Sequence, residues 1–351
     1  MSPLRKSTPA IDQVTPSASL PGAEVAILGK NLGPHHYALP TLRVNGIQAH
    51  ISICRADRIV FRIPDDAETG MIEVRGSGDS SNHIPLRIAR QLSDGLHPVT
   101  SPVVSRSGMI FATISGPRGK QTPVSIVRIS PDGLGTPFVS GILNPTGLAF
   151  NPDGELFVSS RAEGTVYRID AGGEATVYAE GMGVATGIAF DPDGNLFVGD
   201  RSGTIFKIAP GHSDRARHIF VYATLEPSVA AYHLAAGPDG TLYVTAPSLT
   251  SNDAVWAIDR DGAVTACFRG LGRPQGIALD ADANLYVTAS LHGQRGLVRI
   301  HPREPNAPAE LVVSGNNLVG VAFSPLGTTI LATHHAVYEV ELDVPGLPPT
   351  D

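Results

Sequence analysis

Arginine and histidine side chains recur in this chain beside short apolar segments. Those that follow such segments are Arg118 with Lys120, Arg161, Arg201, His292 with Arg295, and His334 with His335; His97 and Arg273 precede them. Guanidinium groups that converge on a concave site can each bind a carboxylate or phosphate through paired hydrogen bonds. The formal net charge is −7, so this cationic set is unexpected and predicts a site for a small anionic or sugar-acid-like ligand.

The alternative is that these cations are neutralised by neighbouring carboxylates or stay solvated. Asp200 is next to Arg201 in the chain, and Glu226 and Asp253 lie in loops of the same kind. Surface ion pairs of this sort need no ligand and contribute little to stability. The charged residues predicted to bind the ligand are Arg161, Asp200, Arg201, Arg273 and Arg295.

A second set of candidate residues belongs to a repeated phrase. Its clearest copies are Thr146–Gly154 (TGLAFNPDG) and Thr186–Gly194 (TGIAFDPDG), and the six copies are anchored at residues 101, 147, 187, 233, 276 and 320. The residue before each anchor is predicted to line a central channel. Thr146, Thr186, Tyr232 and Gln275 are therefore predicted to form hydrogen bonds with the ligand, together with His233 at the fourth anchor.

The spacing of the anchors, 40 to 46 residues, indicates the architecture. Each copy contains four short strands; in the copy at Thr146 these are residues 146–150, 155–159, 165–169 and 175–179. Asp-Gly turns between alternating apolar residues are strong hairpin signals. A period near forty with four strands in each copy is typical of a β-propeller blade, and six copies predict six blades.

The predicted propeller occupies residues 90–345 and is followed by a tail, 346–351. The sixth copy has three strands and then a proline-rich segment, whereas residues 86–92 precede the first copy where an outer strand is expected. Residues 86–92 are therefore predicted to close the ring as the outer strand of the sixth blade, which removes a free sheet edge.

Residues 95–342 resemble the superfamily of six-bladed propellers that includes gluconolactonase, senescence-marker-protein lactonases, NHL-repeat proteins and streptogramin lyases. The phrases that carry the resemblance are Pro145–Gly154, Leu196–Gly203 and Pro274–Asp280. The resemblance implies either a lactonase, with a divalent cation held by Glu, Asn and Asp beside the anchors, or a lyase with histidines around the channel.

The positions that match the lactonase ligands carry other residues here. They are Thr100-Ser101-Pro102, Thr146, Thr186 and Gln275. Hard divalent ions prefer carboxylate ligands, so no cofactor is predicted and the metal-assisted lactonase is an alternative only. A zinc site at His97, His233 and His334 is a further alternative, since three convergent histidines can hold zinc. No catalytic residue is assigned.

Residues 1–89 lack the repeat and contain short alternating strands, predicted at 24–28, 41–45, 49–53, 58–63, 70–75 and 83–88. Alternation with period two and turn residues between the segments predicts an antiparallel β-sandwich. The segment resembles the immunoglobulin-like IPT/TIG domain through Pro21–Val25, Gly29–Gly33, Val44–Gly46 and Ile63–Asp65. In that family the domain packs against or binds proteins, so residues 9–89 are a candidate surface for a protein partner.

Composition limits the remaining classes of function. The acidic balance argues against nucleic acid as a partner, and no apolar stretch approaches the roughly 20 residues of a membrane span. The first residues lack the apolar segment of a secretory signal, which predicts a cytoplasmic protein, or a secreted or periplasmic one if the chain is a trimmed mature form.

The sequence thus predicts an all-β protein, an immunoglobulin-like β-sandwich followed by a six-bladed β-propeller whose funnel binds a small anion or a protein segment. Two alternatives stay open. One is an enzyme, either a lactonase or a lyase that uses His97, Tyr232, His233 and His334. The other is a non-catalytic scaffold for protein interactions.

Overall fold

The computed structural model describes residues 8–34, 38–76, 78–210, 218–249, 253–304 and 307–346. Every regular element in these residues is a β-strand, and none of them belongs to a helix long and apolar enough to cross a membrane. Of the predicted tail 346–351, everything after Gly346 lies outside the described residues.

The chain forms two compact units. The first comprises residues up to Arg90 together with Gln294–Leu297 and Leu311–Asn316, and the second comprises the rest.

Nine strands belong to the first part of the chain. They are β1 (Ala10–Thr15), β2 (Ala18–Ser19), β3 (Glu24–Lys30), β4 (Thr41–Val44), β5 (Ile47–Gln48), β6 (His50–Cys54), β7 (Arg58–Arg62), β8 (Gly70–Arg75) and β9 (Ile84–Ile88). One sheet has the order β1-β3-β7-β6, and the strands β2-β9-β8-β4-β5 are neighbours in another. Every strand predicted between residues 24 and 88 is present, and β1, β2 and β5 were not predicted.

Apolar side chains from both sheets form the core of this unit. Ile27 and Phe61 come from the first sheet, and Leu42, Val74 and Leu86 come from the second; all five are fully buried in one cluster. The alternation of buried and exposed residues along β4, which reads intermediate, buried, exposed, buried, is what a strand with one face toward a core requires.

The second part of the chain contains the strands β10 (Arg90–Ser93), β11 (Val103–Val104), β12 (Ile110–Thr113), β13 (Ile126–Ile129), β14 (Gly135–Val139), β15 (Pro145–Phe150), β16 (Leu156–Ser160), β17 (Thr165–Ile169), β18 (Ala175–Ala179), β19 (Ala185–Phe190), β20 (Leu196–Asp200), β21 (Thr204–Ile208), β22 (Ile219–Thr224), β23 (His233–Ala236), β24 (Leu242–Thr245), β25 (Asp253–Ile258), β26 (Val264–Gly272), β27 (Ile277–Leu279), β28 (Leu285–Leu291), β29 (Gln294–Ile300), β30 (Glu310–Ser314), β31 (Leu318–Phe323), β32 (Thr328–Thr333) and β33 (Val337–Glu341).

These strands pair in chain order as four-stranded groups. Groups 1 to 5 are β11–β14, β15–β18, β19–β22, β23–β26 and β27–β30, and group 6 consists of β31, β32 and β33 with β10 beside β33. Groups 4 and 5 belong to one larger sheet, because the end of β26 also pairs with the end of β28. The strands of each group are called A to D in that order, so β10 is strand D of group 6. Residues 86–92, predicted to supply this strand, are divided: Leu86–Ile88 belong to β9 and the outer strand begins at Arg90.

The alternating direction of the strands places the connections at two ends of each group. The A–B and C–D turns lie at one end, called the A–B face, while the B–C loops and the D–A connections lie at the other, called the B–C face. Neighbouring groups pack through apolar clusters, for example Phe157 and Val166 of group 2 against Ile188 and Val198 of group 3. The loops of the B–C face are therefore held by sheets that pack face to face.

The A strands of neighbouring groups approach one another at the anchor residues. A Cβ atom added to Gly147 would lie 2.4 Å from the carbonyl oxygen of Thr186, and one added to Gly187 would lie 2.2 Å from that of Tyr232. At Gly320 the added atom would lie 2.8 Å from the carbonyl oxygen of Thr100. These distances leave no room for a side chain, which explains why glycine recurs at the anchors.

Hydrogen bonds join each neighbouring pair of groups around the ring. In order from the pair 1–2 to the pair 6–1, they are Thr100 Oγ1 to Thr146 O at 2.7 Å, Ser159 Oγ to Thr186 O, Tyr232 N to Thr186 Oγ1 at 3.0 Å, Thr245 Oγ1 to Gln275 O, Gly276 N to Val319 O at 3.1 Å, and Val321 N to Ser101 Oγ at 3.2 Å. All six junctions are bridged, two of them by the B-strand side chains of Ser159 and Thr245, so the six groups are joined in a closed ring.

Substitution of an anchor glycine is expected to destabilise this ring. Gly187→Ala should lower the free energy of unfolding by about 1–3 kcal/mol, because its Cβ would overlap the Tyr232 carbonyl oxygen. Urea unfolding followed by circular dichroism measures the difference. The matched control is Gly135→Ala in β14, whose added Cβ meets nothing closer than 3.5 Å. Equal losses in the two variants would contradict the close-approach explanation.

Candidate functional site

Three arginines lie in the B–C loops of consecutive groups: Arg118 in group 1, Arg161 in group 2 and Arg201 in group 3. Arg118 and Arg201 are exposed and Arg161 is half-buried. Burial and the positive charges of Arg201 and Arg118 lower the pKa of Arg161, so Arg161 lies within electrostatic reach of each of the other two arginines. Arginine stays protonated in proteins, so the three form a concentrated positive charge.

None of these three arginines forms an ion pair within the part of the chain that the structure describes. Their hydrogen bonds go to main-chain oxygens, from Arg161 Nη2 to Gly116 O and from Arg201 Nη2 to Val229 O, both at 3.4 Å. Asp200, the expected partner of Arg201, accepts hydrogen bonds from the Val184 amide at 2.9 Å and from the Ser202 hydroxyl instead. Arg201 is therefore not neutralised by Asp200, although its exposed side chain fits the other half of that alternative, a solvated cation.

Asn144 positions two of these arginines and was not identified from the sequence. Its buried side-chain amide donates to the carbonyl oxygens of Gly116 at 2.9 Å and Pro117 at 3.0 Å, and its Oδ1 accepts from the Gly119 amide at 2.7 Å. These three hydrogen bonds fix the loop that carries Arg118. The Asn144 carbonyl also accepts a hydrogen bond from the Arg161 amide at 3.3 Å. The sequence gives one indication of this role: Asn144 is polar, whereas the equivalent position of group 3, three residues before its anchor, is Val184.

Histidines form a second cluster on the B–C face. His97 Nδ1 lies 2.9 Å from the carbonyl oxygen of His334, and the rings of His97 and His335 are stacked with centroids 6.1 Å apart. Burial, followed by the charges of His97, His335 and Arg273, lowers the pKa of His334. Arg273 therefore lies within electrostatic reach of His334.

The predicted ring of hydroxyl groups is engaged in structural hydrogen bonds. Thr146 Oγ1 donates to Asn144 O at 3.1 Å, and Thr186 Oγ1 donates to Gly199 O at 2.8 Å while it accepts from the Tyr232 amide. Both threonines are fully buried, and the Tyr232 hydroxyl donates to the carbonyl oxygen of Glu226. A ligand could reach these groups only by displacing a main-chain partner.

Tyr232 and His233 are both buried in forms that carry no charge. Burial, with the charges of Asp200 and Glu226, raises the pKa of Tyr232 to about 12. Burial lowers the pKa of His233 to about 3, and neither of its ring nitrogens has a hydrogen-bond partner. The side chain of His233 is therefore a neutral part of the packing in group 4.

The two remaining predicted ligand residues are Gln275 and Arg295. Gln275 is half-buried, and its backbone bonds to Thr288 and Thr245 at the junction of groups 4 and 5. Arg295 is exposed in β29 and clusters with the first compact unit.

The described residues contain no group of three histidine, cysteine, aspartate or glutamate side chains that could hold a metal ion, so His97, His233 and His334 do not form the alternative zinc site. The threonine hydroxyls at the positions that match the lactonase ligands are committed to main-chain oxygens. These residues do not fit the divalent cation that the lactonase resemblance implies.

The burial of His233 predicts a specific dependence of stability on pH. Its folded pKa of about 3 lies below its ordinary value of 6.5, so the unfolded chain binds a proton that the folded chain does not. As the pH falls from about 6 to 4, this residue should lower the free energy of unfolding by about 1.4 kcal/mol per pH unit. In His233→Leu that contribution is absent, and urea unfolding at several pH values should show a shallower loss. Parallel pH profiles would contradict a neutral, buried His233.

Comparisons with known proteins place the fold. No protein-family profile and no curated protein sequence matches the chain. A structure of a protein of unknown function from Bacteroides thetaiotaomicron superposes with a TM-score of 0.58 at 14% identity, over 96% of this chain and 99% of that one.

Two further structures are connected with gluconolactonases. The gluconolactonase XC5397 of Xanthomonas campestris has a TM-score of 0.55 at 15% identity, over 73% of this chain and 90% of its own. The gluconolactonase candidate DrR130 has a TM-score of 0.57 at 20% identity, over 74% and 93%. At these identities the likeness concerns the fold alone. The chain contains a β-propeller of the kind found in gluconolactonase-like proteins.

Proposed function

We propose that the propeller binds a small organic anion, a carboxylate, sugar acid or phosphate, on its B–C face between Arg118, Arg161 and Arg201. The observation that carries this proposal is the grouping of three guanidinium groups without a carboxylate partner among the described residues, on a chain with a net charge of −7. Holding like charges together costs free energy, which a bound anion offsets. The alternative occupant named by the sequence, a protein segment, would have to present an acidic side chain here.

The geometry supports a rigid receptor. Asn144 fixes the loop of Arg118 through three hydrogen bonds, and Arg161 uses only Nη2 in its contact with Gly116. The remaining donors of its planar fork are available for bidentate recognition of an oxyanion. The backbone of the Arg118 loop is therefore fixed before a ligand arrives, so the loss of conformational entropy on binding is confined mainly to the exposed arginine side chains.

The same proposal includes the finer architecture. We infer that the six four-stranded groups are the blades of a six-bladed propeller, which the bridged junctions between all six groups support. The two packed sheets of the first unit support an immunoglobulin-like sandwich of the IPT/TIG kind. In that reading residues 9–89 serve as a docking module for a protein partner and take no part in ligand chemistry.

A lactonase is the second candidate, favoured by the fold of the Xanthomonas campestris gluconolactonase. The residues of this chain do not fit its metal, so no catalytic step is derived. A lyase using His97, Tyr232, His233 and His334 is less favoured, because His233 is buried and the Tyr232 hydroxyl is already bonded. A non-catalytic scaffold function is also less favoured, because it gives no role to the positive charge of Arg118, Arg161 and Arg201.

Removal of the arginines is expected to weaken anion binding. Arg161→Ala and Arg201→Ala should each lower the affinity for D-gluconate or inorganic phosphate by about tenfold or more, which corresponds to about 1.4 kcal/mol. Isothermal titration calorimetry measures the affinity at low and moderate salt, and the affinity of the original chain should fall as salt increases.

The matched control is Arg260→Ala. Arg260 carries the same charge but contacts Asp193 and the Asp239 carbonyl at the A–B face. This variant should bind both anions like the original chain. Unchanged affinity in Arg161→Ala and Arg201→Ala, or an equal loss in Arg260→Ala, would contradict the proposed site.

A further inference from the structure

A cavity of about 920 Å³ opens at the A–B face of the second unit, the end of the channel opposite the arginines. Small-molecule sites enclose roughly 300–1,000 Å³, so this cavity has the size of a ligand pocket. It was not anticipated from the sequence, which located the ligand on the other face.

The repeat itself determines what lines this cavity. The third residue after the anchor contributes Val104, Phe150, Phe190, Ala236 and Phe323, and the fifth residue contributes Pro152, Pro192, Pro238 and Pro325. Equivalent positions of successive groups face the same axis, so an apolar residue at one position of the repeat becomes a ring of apolar side chains. The cavity wall is consequently rich in phenylalanine and proline.

The three phenylalanine rings are fixed platforms. Phe150 packs against Phe111 at 5.8 Å between centroids, and Phe190 packs against Phe157 at 4.8 Å. Phe323 packs against Tyr286 at 5.0 Å in an edge-to-face arrangement. Each of the three is half-buried, so part of each ring is available to the cavity. Rigid aromatic surfaces of this kind bind other aromatic rings by stacking or edge contacts.

The polar groups of the wall are engaged with one another. Both carboxylate oxygens of Asp191 accept hydrogen bonds from Asn195, and the Asn151 amide bonds to Glu155. Arg106 donates to the carbonyl oxygen of Pro152 at 3.2 Å. The wall therefore offers few free hydrogen-bonding groups. The two carboxylates of Asp153 and Asp191 outnumber the one guanidinium group of Arg106, so the charge of the wall disfavours an anion.

We propose that this cavity is a second binding site, which takes an uncharged molecule that carries one or two aromatic rings. The apolar phenylalanine and proline wall supplies the affinity through burial and ring contacts. The site is independent of the anion site, because the two lie at opposite ends of the strands and share no residue.

The test uses the full chain and the neutral probe N-phenyl-1-naphthylamine, whose fluorescence rises in apolar surroundings. Saturable binding of one probe per chain is expected. Ala236→Trp should lower the affinity by at least about tenfold, because the indole would fill the side of the cavity that has no phenylalanine. The matched control is Ala171→Trp in an exposed turn outside the cavity, which should bind like the original chain.

A second variant keeps the test valid if Ala236→Trp does not fold. Phe150→Leu keeps the wall apolar but removes one ring, and it should weaken probe binding several-fold while D-gluconate binding at the arginines stays unchanged. Absence of saturable binding, or equal affinity in Ala236→Trp and the original chain, overturns the proposal. Equal affinity for naphthalene-1-carboxylate overturns the uncharged class of ligand.

A chain that ends at Gly346 tests a competing occupant. Gly346 lies in the cavity wall, and five residues follow it in the sequence. If the shortened chain binds the probe and the full chain does not, the cavity belongs to residues 347–351 and the proposal is overturned. Equal binding by both chains supports the proposal.

Discussion

The close approach of the six A strands is the constraint on which the rest of the second unit depends. At Gly147, Gly187 and Gly320 the backbone of one group occupies the space that a side chain would need, and a hydrogen bond bridges every junction. Packing of this density tolerates little change in volume. It holds the ends of all the strands in fixed places, so the loops can vary in sequence while their positions stay constant.

That constraint explains where the chemistry lies. The hydroxyl groups nearest the axis, those of Thr146 and Thr186, are used to build the ring and are committed to main-chain partners. Side chains with unused hydrogen-bond donors are found in the B–C loops, where Arg118 and Arg201 lie within electrostatic reach of Arg161. A propeller whose axial residues were carboxylates could hold a metal there; this chain has hydroxyls that stabilise the scaffold and cations that surround it.

The sequence was most informative where local patterns repeat. Strands predicted at 165–169 and 175–179 are confirmed without change, because alternation and Asp-Gly turns act over a few residues. The cationic loops were also recognisable from residue type. Asn144 and the phenylalanine-lined cavity were not, since both depend on which residues the closed ring brings together. Strand β1 was missed because Ala10–Thr15 has a weak apolar pattern and pairs with a partner that follows later in the chain.

The pairing of β10 with β33 has a consequence for biosynthesis. Strand β10 is made before every other strand of the six groups, whereas its partner β33 is the last of them to be made. While the ribosome completes the intervening chain, β10 presents an unpaired edge, and such edges attract other strands. Joining two segments so distant in sequence also makes the last step of assembly intrinsically slow. Strand β10 therefore stays without its partner until the last strand of the chain has been made.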